Sequence, residues 1–274
     1  MPLVSDAVVV VLCVVAGLVV APFLTTLVTQ VPDKRPVAWP SPLAHPPILF
    51  WLRVPSVGAT GADSDTETDT ETGTETDVDQ SEGFQLRPRT VGLAVEILTP
   101  VLFAVAGIRW GTSGVVVPFL VLFAALLVVS MIDLEHYRIP DRIVFPALAF
   151  SLPLIVAVSF VEDSTRSITF ALIGAAAYFL LLFLAHLVYP AGMGFGDVKL
   201  ALLMGLYLGW LAPDGLRAVT LVLLALMIGC VLGVVVGGGL MLVRRKNAAF
   251  PFGPALAAST ILAALFSQQL LGAA

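Results

Sequence analysis

Apolar residues run through this chain in long unbroken stretches, without the alternation of a half-buried strand or the narrow stripe of an amphipathic helix. The stretches occupy approximately residues 7–29, 91–108, 113–132, 143–161, 167–189, 198–212, 216–243 and 254–271, with short polar or Pro/Gly-bearing segments between most of them. Crossing ~30 Å of hydrocarbon takes roughly 20 helical residues at ~1.5 Å each, a length the chain offers repeatedly. The sixth stretch is short, about 15 residues from Asp197 to the Pro213-Asp214-Gly215 turn. Continuous apolarity lacks the period-two signature of a β-barrel, so every backbone amide must be satisfied inside a helix. The pattern predicts an all-α fold, a polytopic transmembrane bundle of about eight helices.

Composition agrees: 58% of the 274 residues are apolar and 12% charged, and the mean hydropathy is +1.00. No water-soluble domain of this size has so little polar surface. Membrane lipid is therefore an expected partner and nucleic acid is not.

Loop charges set the orientation, because cytoplasmic loops carry the excess of Lys and Arg. With the N-terminus outside, Lys34, Arg35, Arg53, Arg87, Arg89, Arg138, Arg142, Lys199, Arg244, Arg245 and Lys246 fall inside, and only Arg109, Arg166 and Arg217 outside. The first stretch follows Asp6 and no basic residue, which suits a retained signal anchor better than a cleavable signal. The expected organisation is a first transmembrane helix over 1–29, a cytoplasmic loop over 30–89 and a membrane core over 90–274, in the cell membrane.

Within the loop, residues 63–82 alternate acids with Thr and Ser and hold nine of the nineteen acidic residues. Such a tract buries too little apolar surface to offset its ordering entropy, so it is expected to be a disordered, dispensable insert. Its acids lack the glycine and spacing of an EF-hand loop. Cys13 and Cys230 both lie in apolar stretches as small hydrophobes, and no CxxC pair is available for zinc or thiol chemistry.

Two polar stretches interrupt the apolar ones with chemistry. In Met131-Ile132-Asp133-Leu134-Glu135-His136-Tyr137-Arg138-Ile139-Pro140-Asp141 an apolar helix ends in a polar turn, and Pro140-Asp141 opens the next helix. Asp133 lies just inside the helix end, where an ionisable group is costly and points to function. Asp141 takes an N-cap or first-turn position and is expected to meet free backbone amides. In Gly192-Met193-Gly194-Phe195-Gly196-Asp197-Val198-Lys199, the glycines are expected to open backbone angles closed to other residues and to let an extended substrate approach.

Asp133 and Asp197 lie 64 residues apart with two predicted helices between them, so both return to the cytoplasmic face. Two carboxylates within reach of one water share a proton, because like charges that close disfavour double ionisation. The ionised member can act as general base on the water while the protonated one bonds the scissile carbonyl. That chemistry requires no metal or cofactor. Lys199 is expected to offset charge at the pair, and His136 to be a solvated loop residue near it.

These residues resemble the type IV prepilin peptidases, membrane aspartic peptidases of bacteria and archaea with a GxGD motif. Gly194-Phe195-Gly196-Asp197-Val198-Lys199 matches GxGDxK, and Ile132-Asp133 with Pro140-Asp141 matches the family's first aspartate and its PD pair. Pro251-Phe252-Gly253-Pro254, and Gly17-Leu18 through Phe23-Leu24 to Val31-Pro32, match its closing motif and first segment. The resemblance implies cleavage of prepilin or pseudopilin precursors at the cytoplasmic face, after a Gly that follows a short basic leader. It makes Asp133 and Asp197 catalytic, with Gly194, Gly196, Lys199, Pro140 and Asp141 in binding or supporting positions.

Many bacterial relatives also N-methylate the new terminus with S-adenosylmethionine and carry paired CxxC zinc motifs in the first cytoplasmic loop. This loop carries His45, Trp39, Trp51 and the acidic tract instead. Neither methylation nor zinc is therefore assigned. Oligomeric state is not set by the sequence.

Other residues have ordinary membrane roles: Glu96 and His186 are expected to bond across helices, and Gly229, Gly233 and Gly237 to permit close helix contact within the bundle. The rival reading is a proton-coupled transporter, with Glu96, Asp133 and Asp197 as a relay and residues 192–196 as a broken helix. Against it, both aspartates lie at one face, away from the midplane, and the sequence has no internal repeat.

Overall fold

The computed structural model describes residues 2–31, 88–164, 166–190, 193–244 and 251–272; within them, the side chains of 2–5, 88–89, 166 and 236–244 lie outside the description. The acidic tract and nearly all of the 30–89 loop, with Gly192, also fall outside it.

All described secondary structure is helical. The elements are α1 (Pro2–Gln30), α2 (Pro88–Trp110), α3 (Val116–His136), α4 (Asp141–Val161), α5 (Arg166–Val188), α6 (Phe195–Trp210), α7 (Gly215–Arg244), α8 (Gly253–Leu265) and α9 (Ser267–Leu270). Among the described residues, six helices are long and apolar enough to cross a membrane, namely α1 to α5 and α7. The chain is a multi-pass membrane protein. The short sixth stretch is α6 at 16 residues, and α8 has 13.

The expected single last helix over 254–271 is broken at Phe266. Arg109 Nε donates to the carbonyl oxygen of Leu265 at 2.8 Å, and an unbroken helix would use that acceptor for the N–H of residue 269.

Burial is uneven, and the unevenness positions the site. Thirteen of the 21 residues of α3 are buried and twelve of the 16 of α6, against five of 21 in α4. The helices that carry Asp133 and Asp197 therefore lie in the centre together with α8, eight of whose 13 residues are buried. Large apolar side chains on α1, α4, α5 and α7, including Val19, Phe150, Leu184 and Val234, are exposed as a lipid-facing surface requires.

Close backbone approach makes this packing possible. On the α5/α6 seam, a Cβ on Gly174 would strike the Gly205 carbonyl oxygen and stand 2.7 Å from Gly209 Cα, while one on Gly209 would strike the Phe170 carbonyl oxygen. Gly205 and Gly209 are a GxxxG pair, the spacing that puts two small residues on one helix face. Gly229 and Gly233 of α7 meet Ser259 and Phe252 at the edge of α8, the intrabundle contact expected of them.

Two buried hydrogen bonds link helices away from the site. Tyr207 Oη donates to Ser151 Oγ at 2.8 Å, and Trp210 Nε1 donates to Ser159 Oγ at 2.9 Å, tying α6 to α4. Trp110, Phe119 and Trp210 stack beside them, with centroids 4.0 and 6.1 Å apart. These contacts fix α6 at the end of the bundle opposite Asp197.

Candidate active site

Four helix ends converge where the sequence places its two polar stretches: the end of α3 and the starts of α4, α6 and α8. Asp133 sits one turn before the end of α3 and is 6% exposed, while Asp197 sits in the first turn of α6 and is 7% exposed. The two carboxyl groups are close enough for the charge of one to act on the other. Two buried acids within electrostatic reach of each other in a membrane chain carry a large desolvation cost, which a structural role alone does not explain.

Each acid has its own support. The N–H of Gly253, the first residue of α8, donates to Asp133 Oδ2 at 3.0 Å, so this carboxyl group faces the positive end of α8. Asp197 lies in the positive first turn of its own helix, and its N–H donates to the Gly194 carbonyl at 3.1 Å. Asp197 Oδ1 is buried without a hydrogen-bond partner among the described residues. An orphaned buried acceptor is what a site keeps for a water or a substrate group. The α3 end is itself strained: Tyr137 adopts a left-handed conformation, φ 50°, while its N–H closes the helix on the Asp133 carbonyl.

Pro140 precedes α4 with an extended backbone, and Asp141 is the first residue of the helix. The expected capping by Asp141 is not formed. Its carboxylate accepts two hydrogen bonds from Lys199 Nζ, at 2.8 and 2.7 Å, and no side chain caps α4. A charged donor of the right length outcompetes the backbone amides of the first turn. Lys199 is thereby tied to Asp141 and not to the acid pair; its ammonium also lies over the rings of Phe145 and Phe195, at 5.5 and 5.2 Å.

The two glycines depart from the expected backbone angles, and Gly196 also from the expected role. Neither has a positive φ: Gly194 is extended at φ −67°, ψ 141°, and Gly196 is helical. A Cβ on Gly196 would stand 2.8 Å from Ile139 Cβ, so this glycine admits the chain's own α3–α4 loop. Gly194 is exposed, and a Cβ there would meet nothing closer than Asp197 Oδ2 at 3.7 Å, which leaves room for an approaching chain beside the acid.

His136, expected in a loop, is the last residue of α3, and it is exposed beside the site. Glu96 on α2 is half-buried and engaged with a partner. Among the described residues, no three His, Cys, Asp or Glu side chains gather at one point. The Gly253 N–H on Asp133 is the contact at the acid pair that sequence reasoning missed. Its signal was the position of Pro251-Phe252-Gly253-Pro254 at the start of a helix on the face that also bears Asp133 and Asp197.

The profile of the type IV leader peptidase family matches residues 120–238, which include both aspartates and the α4 start. A Bacillus subtilis (strain 168) protein named prepilin leader peptidase/N-methyltransferase is 34% identical over 182 residues, covering 65% of this chain and 67% of its own. Proteins of the same name from Pseudomonas putida and Aeromonas hydrophila are each 31% identical, over 179 and 187 residues, covering 64% of this chain and 59% and 58% of theirs. The chain thus spans about three fifths to two thirds of the length of these relatives. No solved structure matches it significantly.

Proposed function

The chain belongs to the type IV leader peptidase family, and on that premise we propose that it removes the leader from type IV pilin-like precursors at the cytoplasmic face of the cell membrane. The observation that carries this reading is the placing of two buried acids, Asp133 at the end of α3 and Asp197 at the start of α6, within electrostatic reach of each other. Loop charge supports the orientation, with the N-terminus outside and the acid pair inside.

The pair works as a proton-sharing dyad. The ionised carboxylate takes a proton from the attacking water, and the water oxygen adds to the scissile carbonyl carbon. The protonated carboxyl hydrogen-bonds the carbonyl oxygen as it gains charge. When the tetrahedral intermediate collapses, the C–N bond breaks and the dyad returns a proton to the leaving amine. The Gly253 N–H holds Asp133 in position throughout, and the open side of Gly194 receives the extended substrate backbone. Proteolysis needs no cofactor in this scheme, and methylation by S-adenosylmethionine is not part of it.

The test is the mass of a prepilin-type precursor after incubation with the purified chain. A product lacking its leader, cut after the Gly of the leader junction, is expected. An uncut precursor, or a cut elsewhere, overturns the reading, and an additional 14 Da (roughly one CH2, as a methyl transfer adds) would restore the methyltransferase activity left out of it.

A further inference from the structure

The turn that presents Asp197 is gripped by a side chain that no step of this cleavage uses. His186, half-buried near the end of α5, places Nδ1 2.9 Å from the Met193 carbonyl oxygen. A carbonyl only accepts, so Nδ1 carries a proton and donates it, which leaves Nε2 as the acceptor of the neutral ring. The expected bond across helices goes instead to the loop that enters α6. The same ring lies against Phe195, centroids 5.6 Å apart. Phe195 in turn lies under the Lys199 ammonium, and Lys199 is tied to Asp141.

A belt of side chains therefore runs from α5 across the start of α6 to α4, on either side of Gly194. That glycine is exposed and extended, with no packing of its own, yet its carbonyl receives the Asp197 N–H. Glycine loses more freedom on ordering than any other residue, so this turn needs an outside anchor to hold a reacting group still. Met193 and Phe195, the two residues that flank Gly194, are both touched by His186.

We propose that His186 is a positioning residue: by donating from Nδ1 to the Met193 carbonyl and lying against Phe195, it holds the turn in which Asp197 meets Asp133. The proposal rests on the peptidase reading for its kinetic part and on loop order alone for the rest. His186 acts through the turn and does not touch the reacting atoms.

The test uses the full chain in lipid with His186→Ala, His186→Asn and His186→Gln. The Asn amide N–H lies close to where Nδ1–H stood, whereas the longer Gln carries its amide past it. Expected are a kcat reduced about tenfold or more in the Ala and Gln variants with KM within about twofold, and recovery of most of the loss in Asn. Amide exchange at residues 193–197, measured without substrate, should quicken in Ala and Gln but not in Asn. Exchange reports on the belt even if the wild type cleaves no prepilin, which separates the two failures. Wild-type kcat in His186→Ala, unchanged exchange there, or equal behaviour of Asn and Gln overturns the proposal; should the Ala variant not fold, the Asn–Gln comparison decides alone.

Discussion

Replacing Gly253 with Ala adds one methyl group to the first turn of α8 and aims it at Asp133. The backbone tolerates Ala there, since Gly253 has no positive φ, and Gly→Ala in a helix ordinarily stabilises by up to ~1 kcal/mol. The new Cβ would stand 2.7 Å from Asp133 Oδ2, 3.2 Å from Cγ and 3.5 Å from Cβ. An ordinary carbon–oxygen contact is about 3.3 Å or longer, so the carboxyl group must retreat by roughly 0.6 Å. Retreat lengthens the Gly253 N–H bond to Oδ2, now 3.0 Å, an interaction of about 1.5–3 kcal/mol when the acceptor is charged. Displacement of that size at a reacting group costs on the order of ten- to a hundredfold in rate. Initial rates of leader cleavage should show that loss in kcat, with KM nearly unchanged. Gly229→Ala is the control: its Cβ would meet Ser259 Oγ at 2.8 Å between α7 and α8, where it touches neither acid, so it should lower Tm and spare kcat. A Gly253→Ala enzyme within about twofold of wild-type kcat would refute the positioning of Asp133 by α8.

On the α5/α6 seam, Gly209→Leu should cost more than ~3 kcal/mol, because the side chain would run into the backbone of Phe170, Ala171 and Gly174; a thermal shift or loss of the folded band measures it, and wild-type Tm would contradict the seam. The Asp141–Lys199 pair, with Asp141 side chain 53% exposed, should show a coupling of about 1 kcal/mol or less in a double-mutant cycle on stability. Asp141→Asn should accordingly keep most of the cleavage rate; total loss would move Asp141 into the chemistry. Deleting residues 63–82 should leave cleavage intact, checked by the same assay, and a large loss would give the acidic tract a role in substrate handling.

Helix placement was legible because hydrocarbon admits little else: every long apolar stretch became a helix within a few residues, except the last, which breaks at Phe266 into α8 and α9. Asp133 and Asp197 were legible for the same reason, since a buried charge in such a chain stands out. What escaped was tertiary. The Gly253 N–H reaches Asp133 across 120 residues, and only the packing of α8 on α3 creates that contact. Asp141 was read by a local rule for first-turn acids, and Lys199, 58 residues away, overrode it. Gly196 was given to the substrate because no sequence rule shows Ile139 occupying its face. Gly205 and Gly209, by contrast, spell a spacing visible in the sequence, but their partner Gly174 lies on another helix.

The central claim is that Asp133 and Asp197 activate one water between them. The most direct measurement is leader cleavage by purified Asp133→Asn and Asp197→Asn chains that retain wild-type Tm. Each should lose cleavage to below about one part in a thousand of wild type, and the double variant should be no worse than either single one. Substantial cleavage by either single variant would contradict the account.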